Sequence, residues 1–173
     1  MRILAPRDFT TMPWKNGGGV THEIARSEED GRLLWRLSIA EVASDGPFSA
    51  FPGLMRVLTV IEGAGMVLET PEGDISARPF APVRFSGDVP VTGRLVAGPV
   101  RDFNLIFDPA RIAGDVVSVP GPFDGTIQGA VLALGTGVTA DGVPVPPGGV
   151  ALEARGLTLS HGARALLATL KPA

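Results

Sequence analysis

Twenty-three glycines and sixteen prolines interrupt a chain of 173 residues, and breaks that frequent leave little room for a long helix. Between them lie short β-rich runs: Val20 to Arg26, Leu33 to Val42, Met55 to Ile61, Met66 to Thr70, Asp74 to Arg78, Val91 to Ala97 and Phe103 to Phe107. Further runs are Val116 to Val119, Thr126 to Leu134, Val150 to Ala154 and Ala163 to Leu170, the last also readable as a short helix. Many short strands divided by turn signals predict an all-β sandwich or barrel. Pro52-Gly53 suits the centre of a type II turn, and Glu62-Gly63-Ala64-Gly65 separates two apolar runs as a hairpin loop does.

The spacing contains an internal echo. Phe51-Pro52-Gly53 recurs as Phe123-Asp124-Gly125, and Gly63-Ala64-Gly65 recurs as Gly135-Thr136-Gly137, at one constant offset. Either hairpin chemistry repeats itself or a β half-domain is duplicated, with the two turns in equivalent places. In the second copy Gln128 stands for Arg56 and Leu134 for Glu62, so the first half is expected to carry the chemistry. The predicted halves are 1–110 and 111–173, joined near Asp108 to Gly114 into one compact unit.

Composition removes several classes of function. A formal net charge of −3, with no basic run, gives no footprint for nucleic acid. The absence of cysteine excludes disulfides, zinc–thiolate sites and thiol catalysis. His22 and His161 are the only histidines and lie far apart, so no metal site and no cofactor are expected. The N-terminus lacks the apolar core of a signal peptide and no apolar run is long enough to span a bilayer, which predicts a cytoplasmic protein without a membrane partner.

Three segments concentrate polar groups. Trp14-Lys15-Asn16-Gly17-Gly18-Gly19 sets a cation, an amide and an apolar wall beside three glycines, in a chain whose only other lysine is Lys171. Leu34 to Val42 alternates, with Trp35, Leu37 and Ile39 on one face and Arg36, Ser38 and Ala40 on the other. Arg36 is then either solvated or, inside a barrel, a carboxylate clamp. In Gly98-Pro99-Val100-Arg101-Asp102-Phe103-Asn104, Arg101 shares a face with Phe103, and Asp102 shares one with Asn104. Phe48-Ser49-Ala50-Phe51 and Arg56 add an aromatic and polar wall, although phenylalanines of this kind usually belong to the core.

Taken in order, these blocks, with Asp45-Gly46-Pro47-Phe48-Ser49 and Arg56-Val57-Leu58-Thr59-Val60-Ile61-Glu62-Gly63, resemble the HutD/Ves family from about Asp8 to Phe107. The resemblance implies an RmlC-like cupin, a compact bicupin of two β half-barrels. It also implies a regulatory or flux-limiting role in histidine utilisation, with a small anionic metabolite of the urocanate or formylated glutamate type as ligand. Cupins as a group often dimerise, so a homodimer is possible. Metal-binding cupins carry an H-x-H pair and a later histidine; Ser49 to Arg56 holds none, and Val100 stands four residues before Asn104 where another would be.

The resulting expectation is a metal-free site formed by Trp14, Lys15, Asn16, Gly17, Gly18, Arg36, Ser38, Phe48, Arg101 and Asn104. In it Lys15 and Arg101 converge on one carboxylate, and Asn104 with the amides around Gly17 and Gly18 completes its hydrogen bonds. The alternative is a cofactor-free isomerase or hydrolase using Glu41, Asp102 or Lys15 as acid or base, although no nucleophile–base signature is present. For a protein-interaction module the sequence offers no distinguishing patch.

Overall fold

The computed structural model describes residues 1–173 and is 62% strand and 2% helix. The strands are β1 (Arg2–Leu4), β2 (Thr10–Pro13), β3 (Gly19–Glu29), β4 (Arg32–Val42), β5 (Gly46–Pro47), β6 (Met55–Glu62), β7 (Met66–Glu69), β8 (Ile75–Ala77) and β9 (Val83–Ser86). They continue as β10 (Thr92–Leu95), β11 (Val100–Phe107), β12 (Ile112–Pro120), β13 (Phe123–Ala133), β14 (Val138–Ala140), β15 (Val143–Pro144), β16 (Val150–Leu159) and β17 (Arg164–Pro172). Every expected run overlaps a strand. The run from Ala163 to Leu170 falls on β17, where Ala165, Leu166 and Ala168 are buried. No helix is long and apolar enough to cross a membrane.

The chain divides into two units, Thr10–Ile112 with Pro172–Ala173, and Met1–Phe9 with Ala113–Lys171. The division differs from the expected one at the N-terminus, because β1 pairs with β16 through Arg2↔Leu152 to Leu4↔Val150. In this second unit a seven-stranded sheet, β12-β17-β13-β16-β14-β15 with β1 beside β16, covers a core of small and branched residues including Val131, Ala151, Ala154, Leu157 and Ala165.

The echo holds only in part. Gly63 and Gly65 lie between β6 and β7, and Gly135 and Gly137 lie between β13 and β14. Phe51-Pro52-Gly53 forms a turn, whereas Phe123-Asp124-Gly125 is the start of β13, where Phe123 packs on the second core and the strand runs straight through. Those two segments are therefore not equivalent turns.

The first unit holds a six-stranded sheet, β2-β3-β4-β11-β6-β9, and a four-stranded sheet, β5-β10-β7-β8. At the centre of the six-stranded sheet β11 pairs with β4 through Asn104↔Ser38 and Ile106↔Arg36, and with β6 through Asn104↔Leu58 and Ile106↔Arg56. Side chains alternate across a sheet, so Arg36, Ser38, Ala40, Asp102, Asn104, Ile106 and Arg56 share one face. Beside them an apolar cluster of Leu58, Val60, Met66, Leu68, Phe85 and Val91 fills the unit.

Candidate functional site

The glycine-rich opening is a precise piece of backbone construction. Gly17 takes φ +75°, the left-handed region that glycine enters without strain, and its N–H bonds the Trp14 carbonyl at 3.0 Å. The Asn16 Oδ1 accepts the Gly18 N–H at 2.9 Å. At Gly19 a Cβ would run into the Glu41 carbonyl and stand 3.0 Å from the Trp14 ring. The indole thus lies against bare backbone and donates its Nε1–H to the Thr21 Oγ1 at 2.8 Å. The amides of Gly17 and Gly18 are occupied by this turn, so they are not donors waiting for a carboxylate. The expectation for those two residues is corrected accordingly.

What the turn builds is a wall. Trp14, Lys15 and Asn16 line an open cavity of about 490 Å³ in the first unit, together with Thr21, Arg36, Ser38, Phe48, Phe51, Arg56, Asn104 and Ile106. Seven of the expected residues therefore meet there: Trp14, Lys15, Asn16, Arg36, Ser38, Phe48 and Asn104. Trp14 and Phe48 pack edge to face with ring centroids 6.2 Å apart, and Lys15 is exposed. The guanidinium of Arg36 closes on Glu23, Nε to Oε2, at 2.7 Å.

Arg101 lies elsewhere. Its strand neighbours are Glu41 and Glu62; its Nη1 donates to the Glu62 Oε1 at 2.6 Å, and its Nε stands 3.8 Å from the Glu41 Oε1. Glu41 also meets the His22 Nε2 at 2.8 Å, and Thr11 meets the His22 Nδ1 at 2.9 Å. This polar row occupies the face opposite the cavity. Arg101 and Asn104 are three residues apart on one strand, an odd offset that turns them to opposite faces. The convergence of Lys15 and Arg101 on one ligand is therefore corrected.

The deep cation of the cavity is Arg56, which the sequence placed only in an aromatic and polar wall. It is 7% exposed, and its guanidinium carbon lies 4.9 Å from the Phe48 ring centroid, 5.6 Å from that of Phe85 and 5.9 Å from that of Phe51. Its Nε–H is given to the Asn104 Oδ1 at 2.8 Å. The Asn104 Nδ2 in turn donates to the Asp102 Oδ1 at 2.6 Å. Asp102 is fully buried and its Oδ2 has no partner in the protein. Burial pulls the Arg56 guanidinium down to about 10, against the attraction of Asp102 and with repulsion from Arg36 adding to the fall. Burial pushes the Asp102 carboxyl up to about 6, against the charge of Arg56 and the Asn104 hydrogen bond. Arg56 stays a cation at neutral pH.

The donor set suits an anion. Lys15, Arg36 and Arg56 line the cavity, while no histidine, aspartate or glutamate does. No group of three or more histidine, cysteine, aspartate or glutamate side chains comes together anywhere in the chain, so the residues present do not fit the metal set of metal-binding cupins. Of the acid–base candidates, Glu41 is on the opposite face, Asp102 lies beneath the cavity and Lys15 sits at its rim.

The comparisons agree with the fold and place the chain among relatives. The HutD family pattern matches residues 6–167. A Pseudomonas putida protein described as an uncharacterised 21.2 kDa protein in the 3′ region of hutC is 43% identical over 114 residues, which cover 64% of this chain and 60% of that protein. A structure of HutD from Pseudomonas fluorescens, determined in a formate condition, is 34% identical with a TM-score of 0.84, covering 98% of each chain. A conserved Pseudomonas aeruginosa protein of unknown function is 35% identical with a TM-score of 0.85, again covering 98% of each chain. An Escherichia coli protein of the DUF861 family, 11% identical with a TM-score of 0.70 over 98% of this chain and 90% of its own, shares the cupin-like fold alone.

Proposed function

The chain belongs to the HutD family, and from that premise we propose that its first unit binds a small carboxylate metabolite of histidine utilisation and acts as a regulatory or flux-limiting component. The observation that carries this reading is Arg56. A nearly buried guanidinium that lines the cavity, with its Nε–H fixed on Asn104, is a planar fork matched to a carboxylate. Trp14, Phe48 and Phe51 supply apolar walls for the body of the ligand, and Ser38, Thr21 and Asn16 supply polar ends. A cavity of about 490 Å³ suits a metabolite of the size of urocanate or a formylated glutamate.

A binding role is favoured over turnover because no carboxylate or imidazole lines the cavity to move a proton. The test is calorimetric titration with urocanate, N-formyl-L-glutamate and formate, followed by turnover assays on each binder. Saturable binding of a carboxylate without product supports the reading. Failure of all three acids to bind overturns it, and stoichiometric conversion of one turns the protein into an enzyme.

A further inference from the structure

Arg56 already has a buried anion behind it, and that has a consequence for any second one. Asp102 is 0% exposed, its Oδ1 is taken by Asn104, its Oδ2 is unpartnered, and Asn104 links it to the Nε of Arg56. The neighbours opposite it in register are Ala40 on β4 and Val60 on β6, both apolar. The charged groups on the elements packed around it are few. On β6 there is Arg56; on β4 there is Arg36, closed on Glu23 of β3; Lys15 stands at the rim. Arg101, the adjacent residue on β11, and Glu41 and Glu62 point to the other face of the sheet. Arg36 and Glu23 cancel, so Arg56 alone compensates Asp102, and the deep end of the cavity is electrically neutral while Asp102 is ionised.

We infer that Asp102 decides which charge state the cavity accepts: seating a carboxylate on Arg56 moves one proton from solvent onto the Asp102 Oδ2. The inference rests on the carboxylate-binding reading above. A ligand carboxylate brought to Arg56 puts two anions on one buried guanidinium, where low dielectric makes their repulsion strong and protonation of one the cheapest relief. Asp102 is the one that yields, because the ligand keeps access to the fork and to water while Asp102 has neither. The proton goes to the free Oδ2, and Oδ1 goes on accepting from Asn104, so the orientation of the Asn104 amide is unchanged. Asp102 does not touch the ligand; it acts through Asn104 and Arg56. Because the deep end offers one charge, a monocarboxylate or one end of a dicarboxylate is taken there, and the second carboxylate of a dicarboxylate must reach Lys15.

The experiment is titration of the wild-type protein with N-formyl-L-glutamate, whose own groups do not titrate near neutrality, at pH 7.5 in imidazole and in Tris, neither of which is an anion. The two buffers differ in ionisation enthalpy. The expected result is a heat that differs between them by an amount equal to uptake of nearly one proton. Affinity should also weaken roughly tenfold per pH unit from about 6.5 to 8.5, as linkage to one proton requires. Asp102→Asn, which keeps an acceptor for Asn104 and removes the charge, should bind with equal heats in both buffers and a flat pH profile. Buffer-independent heat and pH-independent affinity in the wild type overturn the inference while leaving carboxylate binding intact. No binding at any pH removes the underlying reading and the inference with it. If Asp102→Asn does not fold, the two-buffer comparison on the wild type decides alone.

Discussion

Arg56 reaches Asn104 on a diagonal: the Nε–Oδ1 bond of 2.8 Å joins residues whose register partners are Ile106 and Leu58 respectively. The guanidinium carbon lies 4.9 Å from the Phe48 ring centroid, and the side chain lines the cavity. Arg56→Lys keeps a positive charge and loses the fork. A hydrogen bond to a charged group contributes on the order of 1.5–3 kcal/mol, so carboxylate affinity measured by calorimetry should fall roughly 10- to 150-fold. Arg101→Ala, on the far face, should leave that affinity unchanged. An equal loss in both variants would move the site out of the cavity.

Much of this was legible in the sequence. The alternation from Trp35 to Glu41 put Arg36, Ser38 and Ala40 on one face, and all three line the cavity. The same alternation put Asp102 with Asn104, and turned Arg101 away from both. Placing Arg101 in the site with Asn104 overrode that geometry in favour of charge. Arg56 was harder to find, because its signal is spread over separate elements: Phe48 and Phe51 precede β6, Phe85 lies on β9, and Asn104 on β11. No local pattern distinguishes a buried arginine from one on a solvated strand face. The short strands β1, β2, β5, β9, β14 and β15 were not anticipated either, since runs of two to four residues carry no periodicity of their own. The glycine cluster was legible as special but not as to purpose. A closed turn and a bare surface for an indole need the same residues as an anion nest.

The Asp102 carboxyl should make the protein more stable in mild acid. Its folded value of about 6 lies above the ordinary 3.8, so between those values the native state holds a proton that the unfolded chain has released. The contribution is full below the unfolded value and is lost as pH rises through the folded one. About two units correspond to roughly 3 kcal/mol at most. Thermal melts from pH 3.5 to 8 should show wild type losing stability relative to Asp102→Asn as pH rises from about 4 to about 6, with no further loss above that. Parallel curves for the two proteins would mean that Asp102 titrates normally.

Glu23 neutralises Arg36 at the side of the cavity through a 2.7 Å ion pair whose side chains are 17% and 16% exposed. Glu23→Gln keeps an acceptor for the guanidinium and leaves its charge uncompensated, so the cavity gains one positive charge. Carboxylate affinity should rise several-fold at low ionic strength, and the gain should shrink as salt screens it. Unchanged affinity at low salt would show that the ligand binds out of reach of Arg36.

Two glycines that face each other across a ladder offer a paired test of the aromatic wall. Gly46 on β5 pairs with Gly93 on β10, yet a Cβ on Gly46 meets nothing within 4 Å, while one on Gly93 stands 2.7 Å from the Phe48 ring. Phe48 is held between Trp14 and Arg56, so a methyl at Gly93 has to push the ring towards one of them. Overpacking of this kind costs about 1–3 kcal/mol. Gly93→Ala should lower the melting temperature and weaken carboxylate binding, and Gly46→Ala should do neither. Because the backbone change is the same in both, a difference between them isolates the displaced ring. If Gly93→Ala loses stability but binds with wild-type affinity, Phe48 is core to this unit and the wall of the binding site is made by Trp14 and Phe51.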